Sequence, residues 1–264
     1  MRLRTGVYWS VGARYGKNQD SLSMQHVRLA RGECLLAVVC DGIGSLKDAE
    51  EASGLAARLM TDWFYQEGKE LICQNSSKAI ILLALRGQIL HIQEILNKFQ
   101  QFKQIQTGTT MSALLIVRRR YYTVHIGDSR IYEIRRWSRF RRACQIRCLT
   151  QDDKNDKGEL LKCLGVSGED SARFSCGRIK RQRGFLLCTD GFYYAGEKRI
   201  GRVLGPLLPR GRRRGGIRLF RALRGCGKEM RKTADIDRRL ELLGMQARLE
   251  GSRDNMTAVF VCAD

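Results

Sequence analysis

The stretch Leu35-Leu36-Ala37-Val38-Val39-Cys40-Asp41-Gly42-Ile43-Gly44 passes from six apolar residues to an acid and a glycine loop with nothing between. Six apolar residues without alternation read as a strand covered on both faces. The run Lys47-Asp48-Ala49-Glu50-Glu51-Ala52-Ser53 that follows reads as a helix start. Asp48 is placed to cap that helix, with Glu51 three residues on completing a capping-box-like pair. An acid at the end of a buried strand needs a compensating cation, because an unpaired buried carboxylate is expensive. The rest of the chain can then be searched for more acids in the same position.

Four more occur. Asp20 precedes a strand-like segment at 21–29. Asp128 lies in the tight turn Gly127-Asp128-Ser129-Arg130, after the run Tyr121 to Ile126. Asp190-Gly191 ends the apolar run Gly184 to Thr189, and Asp254 introduces a last run, Met256 to Cys262. A single Asp-Gly is ordinary turn chemistry. Five acids at strand edges are a pattern, since strands of one sheet bring their ends together. Carboxylates without His or Cys partners select hard cations, Mg²⁺ or Mn²⁺. Two such ions ~4 Å apart suit displacement at phosphorus.

The remaining segments fill in around these runs. Residues 5–11 and 21–29 read as strands flanking the turn Gly12–Asp20, in which Gly12, Gly16 and Lys17 form a near miss of a phosphate loop. The enclosed residues number three rather than four, and Asn18 stands where Ser or Thr is required, which argues against a nucleotide P-loop. Ala52, Ala56, Leu59, Met60, Trp63 and Phe64 give the first helix one apolar face, and 76–99 reads as a second helix. His91 falls in that helix and reads as structural. Thr109–Val117, Tyr121–Ile126, Arg130–Ile134 and Gln145–Leu149 read as consecutive antiparallel strands. Residues 150–183 are irregular except for a helix-like piece at Glu159–Leu164, and 196–250 read as helical, broken by an Arg/Gly-rich loop at 209–216.

With 264 residues, two prolines and no low-complexity tract, one domain over residues 1–264 is the expectation. The formal net charge of +21 attracts polyanions, and arginines cluster at 118–120, 135–142, 178–183 and 210–214. Ten cysteines lack any C-x-x-C pair, and only three histidines are present, which argues against a zinc site. The N-terminus has no signal-like apolar region, so a reduced, cytoplasmic protein is expected. The longest apolar run, Ala79 to Leu85, falls short of the ~20 residues of a membrane span, so none is expected.

The segments Arg14…Asn18-Gln19-Asp20-Ser21, Val39-Cys40-Asp41-Gly42-Ile43-Gly44, Gly108-Thr109-Thr110, Gly127-Asp128-Ser129-Arg130, Cys188-Thr189-Asp190-Gly191 and Asp254-Asn255-Met256-Thr257 occur in this order. Together they resemble the metal-dependent protein serine/threonine phosphatases of the PPM (type 2C) family, in the compact bacterial form. The resemblance implies an α+β fold, a four-layer α-β-β-α sandwich of two central antiparallel sheets flanked by helices. It also implies a pair of Mn²⁺ or Mg²⁺ ions held by Asp41, the Gly42 carbonyl, Asp190 and Asp254. Asp20 would ligate a metal or bind its water, Asp128 would serve a third, weaker metal with Asp190, and Arg14 would grip the substrate phosphate. A bridging hydroxide would attack phosphorus directly. The implied substrates are phosphoserine and phosphothreonine proteins, with a cognate kinase as signalling partner, and a monomer is expected.

The sequence departs from the family at Ile43, where eukaryotic members carry His, and in Ser45-Leu46-Lys47, where a more glycine-rich continuation is usual. The spacing from Arg14 to Asp20 is also one residue longer than the pattern. All the expected acids are present, which argues against an inactive relative. No cysteine has Arg six positions on, which excludes a cysteine-based phosphatase. The rival reading is a nucleic-acid-binding or non-catalytic phosphoprotein-binding protein. It rests on Arg135-Arg136-Trp137-Ser138-Arg139-Phe140-Arg141-Arg142, where aromatics interleave with arginines.

Overall fold

The computed structural model describes residues 1–14, 16–29, 32–136, 144–166, 171–179, 182–209 and 226–263, with the backbone alone for 226–234. Among these residues ten strands form two five-stranded antiparallel sheets. The first has the order β1 (Leu3–Ser10), β10 (Met256–Ala263), β9 (Arg183–Cys188), β6 (Arg130–Arg136), β7 (Cys144–Cys148). The second has the order β2 (Asp20–Leu29), β3 (Gly32–Asp41), β4 (Met111–Val117), β5 (Arg120–Ile126), β8 (Arg173–Arg178). Helices α1 (Ala49–Trp63) and α3 (Lys78–Lys103) cover the second sheet, with a π-helical turn and the short α2 (Lys69–Cys73) between them. A short α4 (Asp190–Tyr193) follows β9, while α5 (Glu197–Leu204) and α6 (Cys226–Leu249) cover the first sheet. The four-layer sandwich is as expected.

The opening stretch explains the layering. Along β3, Cys34, Leu36, Val38 and Cys40 face the helices, while Leu35, Ala37 and Val39 face the other sheet. A strand buried on both faces needs apolar residues at every position, because side chains alternate with a period of two. The inter-sheet core adds Leu114, Ile116, Phe185, Leu187, Val259 and Val261.

Several sequence expectations change. The strands at 109–149 are not one meander: β4 pairs with β5 and β6 with β7, but β5 and β6 lie in different sheets. The turn Gly127-Asp128-Ser129 carries the chain across, and Gly127 has φ 103, a region only glycine enters readily. Glu159–Leu164 is not helical, since Leu160 bridges to Lys154 and Leu164 to Thr109. A piece this short does not offset the cost of helix nucleation, and bridge pairing claims its backbone. The capping box does not form either. Asp48 has φ 51 and no side-chain cap bond, and its carboxylate and that of Glu51 accept from Lys103 Nζ at 2.9 and 2.8 Å.

Helix α3 is long and apolar enough to cross a membrane by length and composition, which a search for unbroken apolar runs misses because Arg86 and Gly87 divide it. In this fold it lies on the second sheet and buries Ile81, Leu85, Ile89, Ile92 and Leu96. His91 is exposed on its outer side. The residues at 137–142 and 210–214, which carry the basic aromatic stretch and one arginine cluster, lie outside the described residues.

Candidate active site

All five acids lie at one end of the sandwich, because the strands that carry them run antiparallel with their ends aligned. Asp20 and Asp41 are register partners at the end of the β2–β3 pair. Two threonines hold Asp41: its N–H donates to Thr110 Oγ1 at 3.0 Å, and its carbonyl accepts from Thr109 Oγ1 at 2.9 Å and Thr110 N at 2.8 Å. Thr110 in turn shares a 2.7 Å hydrogen bond with Ser129, which fixes the Asp128 turn against the same strand end. The Gly108-Thr109-Thr110 and Gly127-Asp128-Ser129 motifs are thus one backbone clamp.

A second clamp joins the other acids. Asn255 Oδ1 accepts from Gln19 N at 2.8 Å, tying the Asp254 loop to the Asp20 strand. A side chain at Gly191 would collide with the Asn255 carbonyl, so glycine lets the Asp190 and Asp254 backbones touch. Gly12 has the same use against Asp254, and this close approach explains the glycine of the near-miss phosphate loop. Arg14 N donates to Arg253 O at 2.8 Å, and its exposed guanidinium lies 3.3 Å from Asp254 Oδ2. Gly42 is buried, with its N–H on Gln19 O at 3.1 Å, and a Cβ there would strike the backbone of Ala49.

Electrostatically the five acids are one object. Asp20 is pushed up to about 7, chiefly by burial, with Asp190 and Asp254 adding repulsion and Thr189 Oγ1, which donates to Oδ2 at 2.9 Å, offsetting part of it. Asp41 is raised well above the carboxylate range by burial and then by Asp20, Asp190, Asp128 and Asp254. Asp190 is pushed up to about 6 by burial and by Asp128 and Asp254, with Lys154 opposing. Mutual elevation of this kind marks a locus short of positive charge. Asp20 Oδ1 is buried without a hydrogen-bond partner.

Besides Arg14 at Asp254, the chain supplies a lysine to the acids. Lys154 Nζ lies 2.5 Å from Asp128 Oδ2 and 3.7 Å from Asp190 Oδ2. Among the described residues no three acidic, His or Cys side chains are gathered tightly enough to form a closed metal cage. The donor set still fits a hard divalent ion: it is oxygen-only, mutually repelling, and includes an orphaned buried carboxylate oxygen.

The sequence profile described as protein phosphatase 2C matches residues 14–224, most of the chain. The chain belongs to the protein phosphatase 2C family. It is 24% identical over 195 residues to a Mycoplasma pneumoniae protein that carries the provisional name of protein phosphatase, covering 67% of this chain and 73% of that one. Among solved structures it is similar to the serine/threonine phosphatase Stp1 of Staphylococcus aureus, with TM-score 0.74, 20% identity, and 100% and 96% of the two chains covered. It is also similar to the serine/threonine phosphatase PstP/Ppp of Mycobacterium tuberculosis, with TM-score 0.67, 19% identity, and 98% and 97% covered. At these identities the structures establish the fold, and the profile establishes the family. As a type 2C protein phosphatase, the chain is a phosphoprotein serine/threonine phosphatase, a phosphoric monoester hydrolase.

Within this phosphatase several other side chains have structural work. Arg130 makes a bidentate ion pair with Asp152 at 2.9 and 2.7 Å and lies 4.0 Å from the Tyr193 ring centre. It thereby fixes the start of the irregular segment that delivers Lys154. His125 is buried between Ser112 and the Gln151 carbonyl, and burial lowers its pKa. Cys188 and Cys40, next to two of the acids, are fully buried with their thiols pushed far up by desolvation, so neither is a nucleophile. Sequence reasoning missed Lys154, Thr189 and Asn255. No period locates Lys154 in the stretch 150–183, while Thr189 and Asn255 adjoin the acids in sequence and could have been marked for that reason.

Proposed function

We propose that this phosphatase hydrolyses phosphoserine and phosphothreonine in proteins with the help of two divalent cations, Mn²⁺ or Mg²⁺, held at the acid end of the sandwich. The observation that carries this reading is the convergence of five carboxylates from both sheets on one locus, where burial and the neighbouring carboxylates raise the pKa values of Asp20, Asp41 and Asp190. Asp41, the Gly42 carbonyl, Asp190 and Asp254 would hold the pair, Asp20 would ligate a metal or bind its water, and Asp128 would act with Asp190. When bound, such ions supply Lewis acidity toward a phosphoryl oxygen and an acidified water.

The chain's own residues do the rest. Arg14, exposed beside Asp254, presents a planar donor to the substrate phosphate. Neither nearby thiol, Cys40 or Cys188, is poised to form a phosphoenzyme, because both are buried and protonated. That favours direct attack by water. Ile43 has no proton to give the leaving alkoxide, so solvent has to supply it. Lys154 holds Asp128 and Asp190 together and offsets their repulsion, which lessens the need for a third metal there. A single phosphatase domain over 1–264, a monomeric state, a cytoplasmic location and a cognate kinase complete the reading.

The test is turnover of a phosphothreonine peptide by purified protein with and without added Mn²⁺. Hydrolysis is expected only with metal. Equal rates in excess EDTA would overturn the reading.

A further inference from the structure

Arg118, Arg119 and Arg120 meet Arg178, far away in sequence, at the end of the sandwich opposite the acids. They line a cavity of about 960 Å³ between the edge of the second sheet and the start of α3. Its floor is apolar, formed by Ile72, Ile81, Val117 and Tyr122. Its rim carries Lys78, Arg118, Arg119, Arg120 and Arg178, and among the described residues no acidic side chain lines it. The nearest carboxylate on the adjoining strand, Glu33, is already taken by Leu3 N–H, His26 and Arg28.

Three features of this rim make no sense as a solvated surface. Arg120 and Arg178 are direct cross-strand partners, so two like charges face each other on one side of the sheet. Arg118 opens the two-residue turn between β4 and β5 with φ 57, a conformation that Gly, Asn or Asp would enter more easily. A residue that breaks a local rule calls for a gain elsewhere. Finally, Arg118 Nη1 donates to Asn75 Oδ1, while its Nη2 is shielded from solvent and lacks a partner. The N-terminus of the 26-residue α3, beginning at Lys78 and capped by Ser77 on Ile80 N, turns the positive end of its dipole to the same wall.

We propose that this cavity is a binding site for a nucleoside polyphosphate, separate from the catalytic end. The cationic rim and helix start would take the phosphates, and the apolar floor would take the nucleoside. The volume lies at the upper end of the ~300–1,000 Å³ usual for small-molecule sites. A polynucleotide would call for an open stripe with exposed aromatics rather than a concavity floored by buried side chains.

The test is calorimetric titration of the full chain with ATP in EDTA at ~0.15 M salt, so that no metal occupies the acid end. Expected is saturable one-to-one binding with Kd on the order of 10 µM. The double variant Arg120→Gln/Arg178→Gln should weaken it at least about tenfold, and Asp190→Asn should leave it unchanged. Arg119→Gln, at an exposed turn position, serves as the second probe if the double variant fails to fold. It should weaken binding by a smaller factor. No saturation below 1 mM, undiminished binding in the arginine variants, or loss of binding in Asp190→Asn would each overturn the proposal. So would an oligonucleotide that displaces ATP at far lower concentration, which would assign the face to nucleic acid.

Discussion

The second sheet carries a like-charged register pair at each end, Asp20 with Asp41 at one and Arg120 with Arg178 at the other. Both pairs oppose folding when left alone, yet they are built differently. The aspartates are pinned by short side chains and by threonine, serine and asparagine hydrogen bonds to the backbone, so their geometry is fixed before any ligand arrives. The arginines are long, exposed at their tips and almost without partners, so their geometry can adapt. A rigid acid locus suits ions whose coordination must be met closely, and a flexible basic rim suits the capture of an anion.

The sharpest way to break that contrast is to neutralise one pinned acid. Asp41→Asn should lower phosphatase activity on the order of 10³-fold, as removal of a preorganised electrostatic group does elsewhere, with Mn²⁺ affinity in titration falling alongside. Retained activity would mean that the acid end is not the working end. Arg14→Ala should raise KM by ~10-fold with kcat little changed, if its exposed guanidinium binds ground-state phosphate. A fall in kcat alone would move Arg14 from binding to transition-state stabilisation.

Removing metal sharpens the contrast by another route. Asp20 and Asp190 have folded pKa values pushed up to about 7 and about 6 from a reference of 3.8. The folded metal-free protein therefore binds protons more tightly than the unfolded chain. Stability from this source is full below the unfolded value and is lost as pH rises through 6 to 7. The Tm of metal-free protein should fall by roughly 5 °C between pH 5 and 8, and the slope should shrink in Asp20→Asn or with Mn²⁺ present. A Tm that rises over that range would contradict it. The smallest effect belongs to Cys188→Ser, which should keep activity within about twofold, since that thiol lies behind the site rather than in it.

The sequence disclosed the layered architecture and the gathering of acids at strand ends, but not the order of the strands between them. Acids at the ends of apolar runs are legible because strand ends gather, whatever the strand order. The crossing from β5 to β6 was not legible, because a tight Gly-Asp-Ser turn looks the same whether it closes a hairpin or changes sheet. The false helix at 159–164 and the failed cap at Asp48 share a cause. In both, partners distant in sequence, Thr109 and Lys103, outcompete the local pattern. Lys154 was invisible for the same reason, since its meaning lies wholly in Asp128 and Asp190. The basic cavity needed the β5–β8 pairing before its two arginine clusters became one.

The ten-residue alignment of β2 with β3 acts as a gauge block for the chemistry. Asp20 and Asp41 face each other only because every pair down to Leu29 and Gly32 is in step. A shift of one place would turn each side chain to the opposite face. One residue inserted after Met24, in the middle of β2 and well away from the acids, would therefore be read out at the acid end. The protein would keep its charge and most of its core, and lose the Asp20–Asp41 spacing on which the proposed reaction depends.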